Sequence, residues 1–222
     1  MALNKLKYNS LNVTPVANKA ISFDSDPDAL EATLSGGSMT FIKKLTASSD
    51  STLSFVDGSS SVVLDNTYKE YMFIFKDIHP ASDGASLLFQ GNAAGGSGFD
   101  ETITSSFFRA YHAEAGNSAD LGYETGSDAA QSTSFVRLTE ELIGNENDEC
   151  ASGSFYLFNP SSTTFVTHFM AEMNAHHGGN YNVPSFVAGY INTTAAIDEI
   201  QFKLNSGNID SGTFKLYGIK DS

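Results

Sequence analysis

Cysteine is almost missing from this chain: of 222 residues only Cys150 carries a thiol. A single cysteine excludes an intrachain disulfide and any zinc site built on clustered thiolates. Cations are scarce as well, with 12 Lys and Arg against 26 Asp and Glu, and the formal net charge is −14 at pH 7. Nucleic-acid binding needs concentrated Lys and Arg against phosphate, so this balance sets nucleic acid aside as a partner. Long apolar runs are also missing. No stretch of about 18 apolar residues offers a membrane-spanning helix. Met1 to Ala20 has no apolar segment of about 7–15 residues like that of a secretory signal. The expectation is a protein made in a cytoplasm, with no membrane partner. Charged residues are only 17% of the chain while apolar residues are 41% and aromatics 12%, so a sizeable core is available. Polarity has to come from Ser, Thr, Asn and Gly.

The charge is unevenly laid out. Residues 1–20 hold Lys5, Lys7 and Lys19 and no acid, a net +3, which leaves −17 on residues 21–222. The apolar residues of this first segment, including Leu6, Tyr8 and Leu11, follow neither strict alternation nor a helical stripe. It reads as an extended N-terminal arm over 1–20, followed by one β-sandwich domain over 21–222; a first strand tucked onto the sheet is the alternative. Residues 100–150 carry eleven acids against Arg109 and Arg137, and this density reads as solvated surface.

After Pro27, short runs rich in Phe, Tyr, Val, Ile and Thr alternate with clusters of Gly, Ser, Asn and Asp. That punctuation is of strands and turns, and the eleven candidate strands predict an all-β fold, an antiparallel β-sandwich of the jelly-roll kind. Ile200–Leu204 and Phe214–Tyr217 alternate most clearly, and Asn205 to Gly212 between them predicts an antiparallel hairpin. Tyr71–Phe75 is apolar throughout and reads as a central strand covered on both faces. Ala171–His177 is the best helical stretch, barely two turns long before Gly178. Gly91–Gly98 and Asn117–Thr133 read as exposed loops.

Chemistry-bearing patterns are weak. Asp24, Asp26, Asp28 and Glu31 resemble the start of a calcium loop, but Ala29 and Ser35 stand where the turn glycine and the bidentate glutamate belong. A solvated acidic turn is the plainer reading, so no cofactor is expected beyond a weak calcium possibility. His168, Glu172, His176 and His177 have metal-ligand chemistry without metal-ligand spacing. No nucleophile elbow is present, and the acids beside Cys150 disfavour a thiolate. Carboxylate pairs such as Asp198-Glu199 and Glu140-Glu141 occur in any acidic chain. No catalytic residue is assigned, and a non-enzymatic role is expected.

Two stretches carry a resemblance. Residues 68–90 contain an aromatic strand followed by Asp77-Ile-His-Pro-Ala-Ser-Asp-Gly84. Residues 197–219 contain Ile197, Ile200, Phe202, then Ser206-Gly-Asn-Ile209, Ser211-Gly212 and Leu216-Tyr-Gly-Ile219. Both resemble segments of structural proteins of tailed bacteriophages, in particular those of marine and cyanobacterial phages. The resemblance implies a virion protein, made in the bacterial host and docked onto a particle, that binds rather than catalyses. As a capsid decoration protein it would contact the major capsid protein through the arm (Lys5, Leu6, Lys7, Tyr8, Leu11) and one sheet face. Symmetry at capsid junctions would then favour a homotrimer. As a tail appendage or fibre head it would contact a tail protein and meet a host surface glycan, with aromatics such as Tyr123 and Tyr181 stacking on sugars.

Overall fold

A computed structural model describes residues 20–23, 30–33, 38–140 and 143–220. The chain divides into two compact units, Met1–Gly37 and Ser38–Ser222. In the first unit β1 (Ala20–Phe23) pairs antiparallel with β2 (Leu30–Thr33), Ala20 standing opposite Thr33. The arm residues Lys5, Leu6, Lys7, Tyr8 and Leu11 and the acids Asp24, Asp26 and Asp28 lie outside the described residues.

The second unit is a β-sandwich, and every strand pair in it is antiparallel. Its small sheet runs β10 (Val136–Arg137), β6 (Leu87–Ala93), β14 (Ile197–Leu204), β4 (Thr52–Val56). Its large sheet runs β3 (Met39–Asp50), β15 (Ile209–Ile219), β5 (Glu70–Pro80), β11 (Ala151–Phe158), β12 (Thr167–His177), β13 (Tyr181–Ile191), β7 (Ile103–Ala113), β8 (Ala119–Tyr123). The short β9 (Ala129–Ser132) also pairs with β7.

The core lies between the sheets and is aromatic. Phe202 on the small sheet faces Phe73, Phe75, Phe155 and Phe214 on the large one, with ring centroids 5.1–6.1 Å apart. Phe89 meets Phe155 and Phe169 at 4.7 Å in each case. The tilted and edge-on geometries are those that the ring quadrupole prefers.

Five local expectations change. Ala171–His177 is part of β12, where Thr167, Phe169, Ala171, Met173 and Ala175 are buried in strict alternation. Ladders to β11 on one side and β13 on the other outweigh the helix preference of Ala, Glu and Met. Gly91 to Ala93 is no exposed loop but the end of β6, buried at every position. A Cβ on Gly91 would come within 2.9 Å of Ile191 Cδ1, so glycine stands there for close packing. Asn117–Thr133 contains β8 and β9. The inner face of Tyr71–Phe75 is covered as expected, but Met72 and Ile74 point to the outer face, Met72 between Tyr156 and Tyr217 and Ile74 between Ser154 and Lys215.

The fifth change concerns topology. Asn205 to Asn208 does not close a hairpin, because β14 belongs to the small sheet and β15 to the large one. The chain arches across the core instead, which is why Phe202 and Phe214 face each other at 5.6 Å. The segment after β5 makes the same crossing in the other direction, into β6. The two arches lie side by side. Ala81 N–H donates to Asn208 O at 2.9 Å, and Ser86 N–H donates to the Asn205 side-chain oxygen at 2.8 Å. β5 pairs β15 and β6 pairs β14. Residues 68–90 and 197–219, far apart in sequence, thus form one continuous module through both sheets.

Tyr71 anchors the outer end of this module, its side chain buried and its hydroxyl donating to Asp65 O at 2.9 Å. Burial first, and the Asp65 carboxylate second, push its pKa well above the usual 10. A pKa raised on folding gives a contribution that is complete below the unfolded value and lost as pH climbs toward the folded one. Stability in urea is therefore expected to decline above about pH 10 as the unfolded chain ionises Tyr71 and the folded chain cannot. Tyr71→Phe should flatten that decline relative to the wild type; an unchanged slope would show that Tyr71 does not drive it.

Candidate interaction surface

Strand alternation sends one set of side chains into the core and the other to the outer face of the large sheet. Register defines the outer set. Phe41, Tyr217, Met72, Tyr156, Met170, Ala188 and Ser106 stand opposite one another on seven consecutive strands. A second row contains Phe186, Phe108 and Tyr123, and a third contains Phe158, His168 and Tyr190. Of the seven exposed large hydrophobics among the described residues, Met39, Phe41, Phe108, Leu121, Tyr123 and Met170 fall on this face; only Phe165 sits in a loop. The concentration argues for a surface rather than scattered exposure, which needs no explanation.

The middle of the face is hollow. Ser106 and Ala188 are small where their row neighbours are large, and two adjoining depressions of about 410 and 290 Å³ share Ser106, Met170 and Ala188. Phe158, His168 and Tyr190 flank one of them, and Tyr156, Phe108 and Phe186 flank the other. The walls are ordered by ring contacts: Phe108 stacks on Phe186 at 5.1 Å, and Tyr156 lies parallel to Phe158 at 6.3 Å. Charge is sparse. Glu172 is the only acid among the described residues lining the hollows, and no Lys or Arg lines them. Aromatic and Met enrichment with depleted charge is the composition of an interface core.

The residues with catalytic or metal chemistry do not assemble. His168 and Glu172 share the outer face of β12 but are four strand residues apart, roughly 13 Å at the usual rise. His176 Nε2 lies 3.4 Å from Glu114. No group of three metal-ligating side chains occurs among the described residues. Burial first and Asp77 second raise the Cys150 thiol; the adjacent Asp148 and Glu149, which sequence singles out, are not the cause. Glu149 is itself buried, and its carboxylate accepts from Glu146 N–H at 2.7 Å, while Glu140 pairs with Arg109. The acidic stretch thus has internal structural duties besides solvation. Burial first and Glu199 second raise Asp198, which adjoins Glu199 at a bulge in β14.

The outer face was missed by sequence reasoning, although a signal existed. Tyr156 with Phe158 on β11, and Phe186 with Tyr190 on β13, put aromatics on the strand phase opposite the core in the two strands that flank β12. Among the described residues no helix is long and apolar enough to cross a membrane. No family model, curated protein or solved structure matches the chain.

Proposed function

We propose that this protein is a non-enzymatic structural subunit of a bacteriophage particle, a capsid decoration protein that docks through the outer face of its large sheet. The observation that carries this proposal is that face: an uncharged row from Phe41 to Ser106 crosses seven strands, and aromatic clusters flank it at Phe186, Phe108 and Tyr123 and at Phe158 and Tyr190. Seven strands at about 4.8 Å spacing make the uncharged row roughly 30 Å long, and the flanking aromatics widen it over β11, β12, β13 and β7.

The phage-like segments support the same reading from another direction. They coincide with the double-arch module, the frame on which β11, β12 and the rest of the large sheet are laid. The partner in this proposal is the particle's major capsid protein, with the basic Lys5–Leu11 segment as a second attachment element and a trimer as the expected assembly.

The test is decoration of purified undecorated particles. Met170→Glu combined with Phe108→Glu should abolish binding while leaving the urea midpoint unchanged, because both side chains already face water. Deletion of residues 2–20 from the otherwise unchanged chain should weaken attachment. Full occupancy by the double variant would overturn the proposed face. Copy number assigns the place: hundreds per particle fit the capsid, and a small multiple of the tail's rotational order fits a tail appendage.

A further inference from the structure

A separate cavity of about 340 Å³ lies on the core side of the large sheet's far edge, lined by Arg109 and Tyr111 of β7, Tyr181 and Val183 of β13, His177 and Glu140. We propose that it binds a neutral saccharide. The site goes beyond the docking role and does not depend on it.

The lining has two parts. One is an aromatic corner: Tyr111 meets Tyr181 edge-on at 5.5 Å, and Tyr181 meets His177 at 5.3 Å. Gly179 holds this corner together, since a Cβ there would stand 3.1 Å from the Tyr181 ring and 3.2 Å from the His177 ring. The other part is a polar base. Arg109 Nη2 donates to Glu124 at 2.9 Å, its Nε contacts the Glu140 carboxylate, and its carbon Cζ sits 5.0 Å from the Tyr111 ring centre. Arg109 Nη1 is buried and has no partner among the described residues. Gly179 N–H donates to His177 Nδ1 at 2.7 Å, so the neutral ring carries its proton on Nε2 and offers it as a donor.

These groups select a ligand class. The free groups of Arg109 and His177 are donors, so the ligand must bring acceptor oxygens, which a simple cation lacks. The Arg109 charge is already matched by two carboxylates, so an anion would meet net negative charge. A neutral polyol satisfies both conditions: its oxygens accept from Arg109 and His177, a hydroxyl donates to the spare lone pairs of Glu140, and its C–H face rests on Tyr181. The volume is at the low end for small-molecule sites, room for one or two sugar rings and not a long chain.

The test uses the isolated full-length protein and saturation-transfer NMR with glucose, galactose, mannose, N-acetylglucosamine and maltose at roughly 10 mM, with glucuronate and choline as charged controls. At least one neutral sugar is expected to bind and both charged controls to fail. Tyr181→Ala should weaken that sugar by about tenfold or more, and His177→Phe, which keeps a ring and removes the donor, by a smaller factor. Circular dichroism and the urea midpoint confirm that the variants fold; if Tyr181→Ala does not, His177→Phe carries the comparison. Absence of binding by every neutral sugar, preference for glucuronate or choline, or unchanged affinity in the folded variants would each overturn the proposal. Because no particle is present, such a failure leaves the docking proposal untouched.

Discussion

Phe202→Ala is expected to destabilise the sandwich by about 3–5 kcal/mol, the range for removing a large aromatic from a core that cannot collapse around the gap. The site cannot collapse because both sheets hold it. Phe202 is fully buried on β14, and its ring touches Phe55 from the same sheet and Phe73, Phe75, Phe155 and Phe214 from three strands of the other. Relaxing into the cavity would require moving hydrogen-bonded ladders, not one loop. Phe202→Leu retains much of the volume and should lose clearly less, though it forfeits the edge-to-face contacts, each worth about 0.5–1.5 kcal/mol. Phe41→Ala is the contrast: that ring is 55% exposed on edge strand β3 and should change the urea midpoint little. If Phe202→Ala and Phe41→Ala cost the same, the face assignment of the two sheets is wrong.

The same contrast shows how far the sequence could be read. Alternation in Ile200–Leu204 and Phe214–Tyr217 correctly assigns Phe202 and Phe214 to the core. It cannot say which sheet each strand joins, because period two reports a face and not a partner. A hairpin and an arch therefore look alike in sequence, and Asn205 to Gly212 suits either. The second half of β6, after Phe89, is illegible for a different reason. Gln90, Gly91 and Asn92 look like loop residues, yet the Gln90 amide donates to Glu101 O at 3.0 Å and to Thr133 O and Ser134 O at 3.2 Å. Polar groups satisfied in this way can be buried, and composition cannot foresee the partners. The saccharide cavity depends on register: Arg109 and Tyr111 come from β7, Tyr181 from β13, and only the β7–β13 ladder brings them together.

Gly212→Ala should cost about 2–5 kcal/mol, because conformational strain and steric overlap add at one residue. Its φ of +131° lies where L side chains are strained. A Cβ there would also stand 2.8 Å from Asp77 O, 2.8 Å from Ile78 Cδ1 and 2.9 Å from Ile78 Cα. Two of those atoms are backbone and cannot swing aside. The crowding arises where β15 slips past β5 through register shifts on both sides of Ser211, opposite Asp77, itself at φ 53°. Gly84→Ala is the matched control. Gly84 has φ +71° with nothing within 4 Å of the added carbon, so strain acts alone and the cost should be about 1 kcal/mol. Urea unfolding of the two variants separates strain from overlap, and equal costs would mean that the β5–β15 contact relaxes freely. The consequence reaches the outer face, because β15 is the strand that joins β3 to β5. Loosening it detaches Met39 and Phe41 from the aromatic band, so Gly212→Ala should weaken particle decoration even at temperatures where the domain remains folded.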